Sequence, residues 1–596
     1  MPSNSAYRLR MNARLRSARM SLPGWLLALA ALVAGHALIL ARAANIAAPL
    51  YGSDEIAYWH NARSLFAGVD RTAFNPYLQQ VNCDLFYLIV GWLAQRPEGA
   101  LTMRLLNYML LILAASLLYR AARGITSRAW SAVAAAFFFV TGPSVLLIAT
   151  MPETTYCFFF ALLTFVLVRY WAPGAAGASL LVGILTGALM LIKPHGIAVA
   201  LACMATVLAI PILLRRDVRA LRTATIDLVI VAIGFVAAVV AIGSFARGEL
   251  ILSPAKLIGQ FYGGILSRSD PLSPSRLLNI AFYYAAHALI LVMFFAPAVV
   301  LSARLLAKSV IGARVIGARQ QQMIVLVTFT AFSAAAIFMM TAVFTETVGA
   351  ASDLERWRIH GRYWTFLIPW LALIAFTSFS WSEWPGETAR ADWAVGLLGA
   401  AATLLFVLVI APRFSLHPWD FPELFGFYRP ELQNWKMQLL WFPHAFAISL
   451  TVILLSFAAW LYRISYRGLI YAAALLIVFV VGNVSTTQWQ VEGAASNSGR
   501  TASGIAARRI VGEHSVGALI GATYWGQSLY YLAFNLPLHS YVIEKPAGAS
   551  LSEADLPAGV EWVITAASYQ IHFDYRHVIP LPAATLYLVR DAAPKR

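Results

Sequence analysis

The sequence predicts a polytopic α-helical membrane protein that ends in a small α/β domain. Of its 596 residues, 60% are hydrophobic and only 12% are charged, and the mean hydropathy is +0.70. A water-soluble core does not need so apolar a chain, whereas a set of bilayer-spanning helices does. The C-terminal stretch, about 110 residues, instead alternates short β-rich runs with one helical segment and is long enough for a small domain.

About thirteen apolar runs approach the roughly 20 residues that a transmembrane helix requires. The predicted spans are 26–46, 102–120, 130–149, 153–171, 178–193, 196–214, 224–244, 279–301, 323–344, 363–381, 393–411, 439–461 and 468–485. They divide the chain into a transmembrane domain at 1–485 and an outer α/β domain at 486–596.

The formal net charge of +17 is best explained by membrane topology. The basic residues lie between apolar runs and form no basic domain with interleaved aromatics, so no nucleic acid partner is predicted. With an odd number of spans, the main basic clusters share one side, which the positive-inside rule makes cytoplasmic. The N-terminus is therefore predicted in the cytoplasm and the C-terminus in the periplasm.

Three cysteines, Cys83, Cys157 and Cys203, have no metal-ligand spacing.

Two adjacent carboxylates stand just past the first span, in YGSDEIAYWHNARSLF. Asp54 and Glu55 open a predicted amphipathic helix whose start Ser53 can cap. An acidic first turn also complements the helix dipole, so a structural role stays open for both. The topology places both carboxylates on the outer side.

Three further groups are predicted at the same membrane face. They are Glu153 at the start of the fourth span, Lys193 and His195 in the turn LIKPHG, and His360, Arg362 and Tyr363 in ERWRIHGRYWTFLIPW. A structural carboxylate at a helix start and a snorkelling lysine are the plain alternatives. Carboxylates and cations at one face suit an anionic ligand and a proton acceptor. Because no P-loop or GxGxxG motif follows a strand, a lipid-borne phosphate fits this site better than a nucleotide.

The order of these motifs resembles the GT-C membrane glycosyltransferases. The shared pattern is a basic N-terminus, a D-E-x-x-Y helix after the first span, an acid opening the fourth, a K-P turn after the fifth and R-Y-x-x-x-x-x-P in a late span. Thirteen spans and an outer C-terminal domain are most similar to the bacterial aminoarabinose transferases of lipid A and the protein O-mannosyltransferases. The resemblance covers essentially the whole membrane part.

The resemblance implies an inverting glycosyltransferase of the bacterial inner (plasma) membrane. Its donor would be a polyprenyl-phosphate sugar and its acceptor a lipid A-like lipid, a glycan or a protein of the cell envelope. Asp54 is expected to act as general base, with Glu55 and Glu153 orienting the base, the acceptor or a divalent metal. The residues expected to bind the donor phosphate are Lys193, His195, Arg268, His360, Arg362 and Tyr363. Those expected to contact the acceptor or support the site are Tyr58, Asp84 and Arg104. The resemblance implies no particular cofactor, and a divalent metal is left open.

The residues by themselves leave two other function classes open. One is a multi-pass transporter or flippase of a lipid-linked sugar or small solute, and the other is a surface-glycan polymerase or ligase. A transporter is disfavoured because the charges gather at one face and no matching pair of broken helices is visible. A polymerase or ligase is disfavoured because such enzymes typically use a large outer loop rich in Arg and His.

Overall fold

The computed structural model describes residues 21–44, 49, 52–68, 74–75, 82–96, 99–215, 218–250, 273–311, 317–349, 357–380, 388–417, 420–428, 444–524 and 529–589. Its α-helices are α1 (Ser21–Ala43), α2 (Gly52–Ala67), α3 (Asp84–Ala94), α4 (Gly99–Ala122), α5 (Arg128–Ala136), α6 (Gly142–Val145), α7 (Glu153–Arg169), α8 (Ala176–Ile192), α9 (Gly196–Arg215), α10 (Val218–Arg247), α11 (Pro274–Ile311), α12 (Ala318–Gly349), α13 (Ile368–Ser380), α14 (Thr388–Leu405), α15 (Ala445–Leu461), α16 (Arg467–Ser496), α17 (Ser498–Val511) and α18 (Tyr530–Ala533). The chain is mainly helical, as predicted.

Eight helices in the described ranges are long and apolar enough to cross a bilayer, and four shorter apolar helices accompany them. The predicted polytopic helical architecture is confirmed, while the number of thirteen spans stays a prediction. The predicted span 130–149 is wrong as one continuous helix. It contains the end of α5, a 3-10 turn at Phe137–Phe139 and the four-residue α6, and nearly all of these residues are buried. Pro143 breaks the helical pattern because it donates no backbone hydrogen bond.

The helix directions define two ends of the membrane part. Helix α8 ends at Ile192, the turn 193–195 follows, and α9 starts at Gly196, so α8 and α9 run in opposite directions. Helices α4 and α7 pack against each other, and each begins close to the loop 146–152. We call the end that holds this loop and the turn 193–195 the site end.

The C-terminal part contains a small α/β domain, as predicted. Its strands are β1 (Gly517–Gly521), β2 (Ser540–Glu544), β3 (Ser550–Ser552), β4 (Trp562–Thr565), β5 (Gln570–His572), β6 (Tyr575–Leu581) and β7 (Ala584–Val589). Five of them form a sheet in the order β2-β1-β4-β7-β6, in which β1 runs parallel to β2 and β4, and β7 is antiparallel to β4 and β6. Helix α16 continues across the predicted division at 485 to Ser496.

Helix α2 connects the membrane part to this domain. The buried Arg63 donates a hydrogen bond from Nη1 to the Leu536 carbonyl at 3.1 Å and forms an ion pair with Glu513. The Trp59 ring stacks on Phe534 with a centroid separation of 6.1 Å. The helix that carries Asp54 and Glu55 is therefore also the docking surface of the C-terminal domain.

We expect Arg63→Met to loosen this attachment. The substitution leaves the buried Leu536 carbonyl without its donor, which lowers the free energy of unfolding by about 1–3 kcal/mol. It also removes the cation that pairs with Glu513. Thermal unfolding of the purified protein in detergent should begin at lower temperature, and limited proteolysis should release the C-terminal domain faster. Arg509→Met, at an exposed position of α17, is the matched control. Identical melting of both variants and wild type would contradict the docking role.

Candidate active site

The Asp54 carboxylate faces a guanidinium that lies far away in the sequence. Asp54 stands in the first turn of α2, and Arg362 Nη1 lies 2.7 Å from its Oδ2 atom. Partial burial opposes ionisation of this carboxyl, but the neighbouring Arg362 prevails and holds its pKa below the ordinary value. Asp54 is therefore ionised at neutral pH. Its side chain remains 40% exposed, so solvent or a ligand can reach it.

Glu153 and Lys193 form a second, more buried pair. Lys193 Nζ donates to Oε1 of Glu153 at 2.6 Å, and the Glu153 side chain is only 8% exposed. The other oxygen, Oε2, has no hydrogen-bond partner among the described residues. A buried carboxylate oxygen without a donor is costly, so this atom is suited to accept a hydrogen bond from a ligand.

Glu153, Lys193 and Arg362 line one pocket at the site end. Its volume is about 360 Å³ including the open mouth, and its walls are Pro143, Leu146, Glu153, Tyr156, Cys157, Lys193, His195, Arg362, Tyr363, Thr365 and Phe366. The Tyr363 ring lies 4.2 Å from the His195 ring and 5.1 Å from Lys193 Nζ. The pocket thus combines two cations, one carboxylate and an aromatic wall. The structure brings together five of the sequence-predicted residues here, and Arg362 connects them to Asp54.

The two predicted histidines are neutral in this environment. Burial lowers the pKa of His195 well below its ordinary value, and Lys193 and Arg362 add to the effect. Burial, together with Arg358 and Arg362, does the same to the pKa of His360. Positive charge at the site is therefore carried by Lys193 and Arg362, and the imidazoles are suited to hydrogen bonding.

Asp420 is a buried residue of the site that sequence reasoning missed. Its carboxylate accepts from Arg358 Nε at 2.5 Å and Nη2 at 3.1 Å, and lies 4.0 Å from Arg362 Nε. These two bonds fix the guanidinium group of Arg358, and Arg362 lies between Asp54 and Asp420. Asp420 lies in the loop predicted at 412–438, where no local pattern distinguishes it from an ordinary solvated acid.

Glu55 holds a loop of the site. Its Oε1 atom accepts from the Thr150 backbone N–H at 2.8 Å and from the Thr150 hydroxyl at 3.1 Å, and Arg104 Nη2 lies 3.8 Å away. Arg104 Nε in turn donates to the Ile148 carbonyl at 2.5 Å. Both hydrogen-bond donors of Thr150, its backbone N–H and its hydroxyl, therefore bind Glu55. Arg104 thus supports the loop, and a catalytic role for Glu55 stays a prediction.

No protein-family model and no curated protein matches the chain. Among solved structures, the chain is similar to the crystal structure of ArnT from Cupriavidus metallidurans bound to undecaprenyl phosphate. The TM-score is 0.51 at 16% identity, and the match covers 95% of this chain and 98% of that one. The chain has the ArnT fold. The apo-state structure of the same ArnT gives a TM-score of 0.44 at 16% identity, covering 93% and 97%.

This fold agrees with the predicted architecture, a polytopic helical membrane part followed by a C-terminal domain. Both chains are covered almost completely, so the likeness includes the membrane part and the C-terminal domain. Because a fold can host unrelated activities, function has to be argued from the chemistry of the pocket.

Two other predicted residues, Tyr58 and Asp84, lie outside the pocket lining. Tyr58 is buried, with its ring edge on Phe86 at a centroid distance of 6.1 Å. Asp84 binds Arg247 instead, with Oδ2 lying 3.0 Å from Nε and 2.7 Å from Nη2. Arg268 is outside the described residues. The roles of these three in substrate binding stay predictions.

The carboxylates of the site are already engaged by protein groups. Glu55 accepts from Thr150, Glu153 from Lys193, and Asp54 from Arg362. Within the described ranges, no group of three or more His, Cys, Asp or Glu side chains is arranged to hold a metal ion. A divalent metal at the site stays a prediction, and no step of the reaction is routed through one.

Asn107, on helix α4, holds the loop 146–152 in place. Replacing Asn107 should therefore disturb the site indirectly. Its Nδ2 atom donates to the carbonyls of Leu147 and Ala149, both at 2.9 Å. We expect Asn107→Ala to destabilise the protein by about 1–3 kcal/mol because two buried carbonyls lose their donor. The measurement is thermal unfolding in detergent, with the exposed Ser116→Ala on the same helix as control. Equal melting temperatures for both variants would contradict this role.

Proposed function

We propose that the protein is an inverting glycosyltransferase. It moves a sugar from a polyprenyl-phosphate donor to a cell-envelope acceptor, which is a lipid A-like lipid, a glycan or a protein. One observation carries this proposal: two cations and the Glu153 carboxylate line one pocket at a membrane end, and one of those cations, Arg362, pairs with the Asp54 carboxylate. Such a site can bind a phosphate and accept a proton from a hydroxyl group at the same time.

The two cations of the pocket bind the phosphate group of the sugar donor. Lys193 and Arg362 are positioned to bind the phosphate oxygens, and His195, His360 and Tyr363 are available as hydrogen-bonding groups around them. The similar ArnT structure carries undecaprenyl phosphate, which supports a ligand of the same class here. Arg268 is proposed to join this group.

Asp54 acts on the acceptor as its general base. The acceptor hydroxyl oxygen forms a bond to the anomeric carbon while the bond from that carbon to the phosphate oxygen breaks. The hydroxyl proton passes to Asp54, and the bonding electrons leave with the polyprenyl phosphate. Attack from the face opposite the phosphate inverts the anomeric centre. Lys193 and Arg362 stabilise the charge that develops on the departing phosphate.

The ion pair between Asp54 and Arg362 links donor binding to base strength. While Arg362 is paired with Asp54, the carboxylate is a weak base because its pKa is lowered. A donor phosphate that recruits Arg362 removes this partner, and the pKa of Asp54 rises toward a value suited to accept a proton. The base is then activated only when the donor is present.

Glu153 is proposed to orient the sugar or the acceptor. Lys193 fixes one of its oxygens, and the other remains available to accept a hydrogen bond from a hydroxyl or amino group. Tyr58 and Asp84 are proposed as support from behind the pocket.

The proposed location is the bacterial inner membrane, with the site end facing the periplasm. The predicted topology puts the N-terminus in the cytoplasm and the C-terminus in the periplasm. A polyprenyl-phosphate donor and an envelope acceptor would both be available at that face.

The proposal is tested by mass spectrometry of envelope lipids and glycans from a deletion strain and from the same strain complemented with the wild-type chain. We expect the deletion to remove one sugar increment from an envelope component while a polyprenyl-phosphate sugar accumulates. The lost mass identifies the sugar. A change in the length of a glycan ladder would favour a polymerase or ligase instead. An unchanged set of glycans, with altered solute or lipid distribution across the membrane, would favour a transporter.

A further inference from the structure

A second polar pocket lies at the membrane end opposite the site. Helices α4 and α7 begin at the site end, where Arg104 and Glu153 lie, and both run away from it. Arg120 and Arg169 lie 16 residues further along their respective helices. At 1.5 Å per residue this separation is about 24 Å, close to the thickness of the hydrocarbon core.

Three arginines converge on this pocket. It has a volume of about 760 Å³ including its open mouth, and it is lined by Arg120, Arg123, Gly124, Phe165, Arg169 and Tyr170. No carboxylate in the described part of the chain forms an ion pair with any of the three arginines. Three like charges around one cavity repel each other, so an anion in the cavity would relieve an unfavourable arrangement.

One of these guanidinium groups, that of Arg169, packs closely against the backbone at Gly124. A Cβ atom at Gly124 would overlap Nη1 of Arg169 and would lie 2.6 Å from Oε1 of Gln322 on α12. Only glycine allows Arg169 to pack this closely on the backbone. Arg319, also on α12, donates from Nε to the Ile125 carbonyl at 2.6 Å and fixes the following residue of the loop.

An aromatic wall stands beside the cations. The rings of Phe165 and Tyr170 meet edge to face with centroids 5.5 Å apart, and Tyr170 is 66% exposed. Tyrosine with a free polar end and an apolar body is typical of the membrane–water interface. The positive-inside rule accounts for arginines at this membrane end, but it does not account for their convergence beside an aromatic wall.

We propose that this pocket binds the phosphate group of an anionic phospholipid. Arginine forks match pairs of phosphate oxygens, and basic pockets between transmembrane helices are suited to acidic lipid head groups. The aromatic wall favours a lipid over free phosphate, because it can contact the glycerol and acyl region as well. The site is separate from the proposed transferase pocket, and its occupation does not depend on that activity.

The test compares lipid binding by the full chain and two matched double variants. Native mass spectrometry or titration in detergent measures binding of phosphatidylglycerol and of phosphatidylcholine, with inorganic phosphate and glycerol phosphate as soluble competitors. The pocket variant is Arg123→Gln with Arg169→Gln. The control is Arg219→Gln with Arg222→Gln, which removes the same charge from exposed positions at the same membrane end, since α10 begins where α9 has returned from the site end.

We expect the pocket variant to lose about tenfold or more in affinity for phosphatidylglycerol, while the control variant retains wild-type affinity. Gly124→Val, which keeps every charge but displaces Arg169, should weaken binding as well. Equal losses in the pocket and control variants would mean that only diffuse charge matters and would overturn the proposal. Unchanged binding in the pocket variant, or equal displacement of the lipid by inorganic phosphate, would overturn it too.

Discussion

Asp54→Asn is expected to lower the rate of sugar transfer by about 10²–10⁴-fold, the usual contribution of a general base. Asparagine keeps the shape of the side chain but cannot accept the proton of the acceptor hydroxyl. Donor binding should be retained or improved, because Arg362 loses its closest carboxylate, at 2.7 Å, and keeps only Asp420 at 4.0 Å, which leaves it better able to bind the phosphate. The measurement is turnover of purified enzyme with a polyprenyl-phosphate sugar, alongside donor affinity determined by titration.

Asp555→Asn is the matched control for this variant. Asp555 lies in the C-terminal domain, where it pairs with Lys545 at 2.6 Å, and the same chemical change there leaves the pocket intact. Wild-type turnover in Asp54→Asn would remove Asp54 from the role of base. A loss of both turnover and donor binding would instead assign Asp54 to the structure of the site.

Arg362→Gln is expected to reduce kcat/KM for the donor by roughly 10–150-fold. A hydrogen bond to a charged group contributes about 1.5–3 kcal/mol, and glutamine supplies no positive charge for the phosphate. The loss should appear in both KM and kcat, since the cation is proposed to bind the donor and to stabilise the departing phosphate. Steady-state kinetics with varied donor concentration measures both.

Arg362→Gln should also shift the pH dependence of kcat/KM. Asp54 acts in its ionised form, so activity falls as pH drops through its pKa. In the wild-type protein Arg362 is the main group that lowers this pKa, so without the guanidinium the raising effect of burial is opposed only by the smaller effects of Arg358 and Lys193 and the pKa rises. The acidic limb of the kcat/KM profile should therefore move to higher pH in Arg362→Gln.

Arg413→Gln controls for the general loss of charge near the site end. Arg413 is exposed, packs over Phe282 at 5.9 Å, and precedes Ser415, which is bonded to the segment that carries Arg358. Its pH profile should match that of the wild type. A shift of the same size in both variants would show that the surface potential, rather than the pair of Asp54 and Arg362, sets the acidic limb.

Much of the site was accessible to sequence reasoning. Glu153, Lys193, His195, Arg362 and Tyr363 were selected because charged and polar groups at the ends of apolar spans are few, and the structure brings all five to one pocket. Asp84 was selected from the resemblance as an acceptor-contacting or supporting residue, yet it is paired with Arg247 outside that lining. A charged residue at a span end can therefore be recognised from sequence, but its partner cannot.

The sequence by itself determined the helical membrane architecture, the α/β nature of the C-terminal part and the order of charged groups along the chain, because hydropathy and local pattern depend on neighbouring residues. Only the tertiary structure decided which groups meet. Asp420 and Arg358 are 62 positions apart, and Glu55 and Thr150 are 95 apart. Such pairs are set by how helices and loops pack, and packing is a property of the whole chain. The same reason explains why the pocket of Arg120, Arg123 and Arg169 has no signature in sequence beyond ordinary basic residues at helix ends.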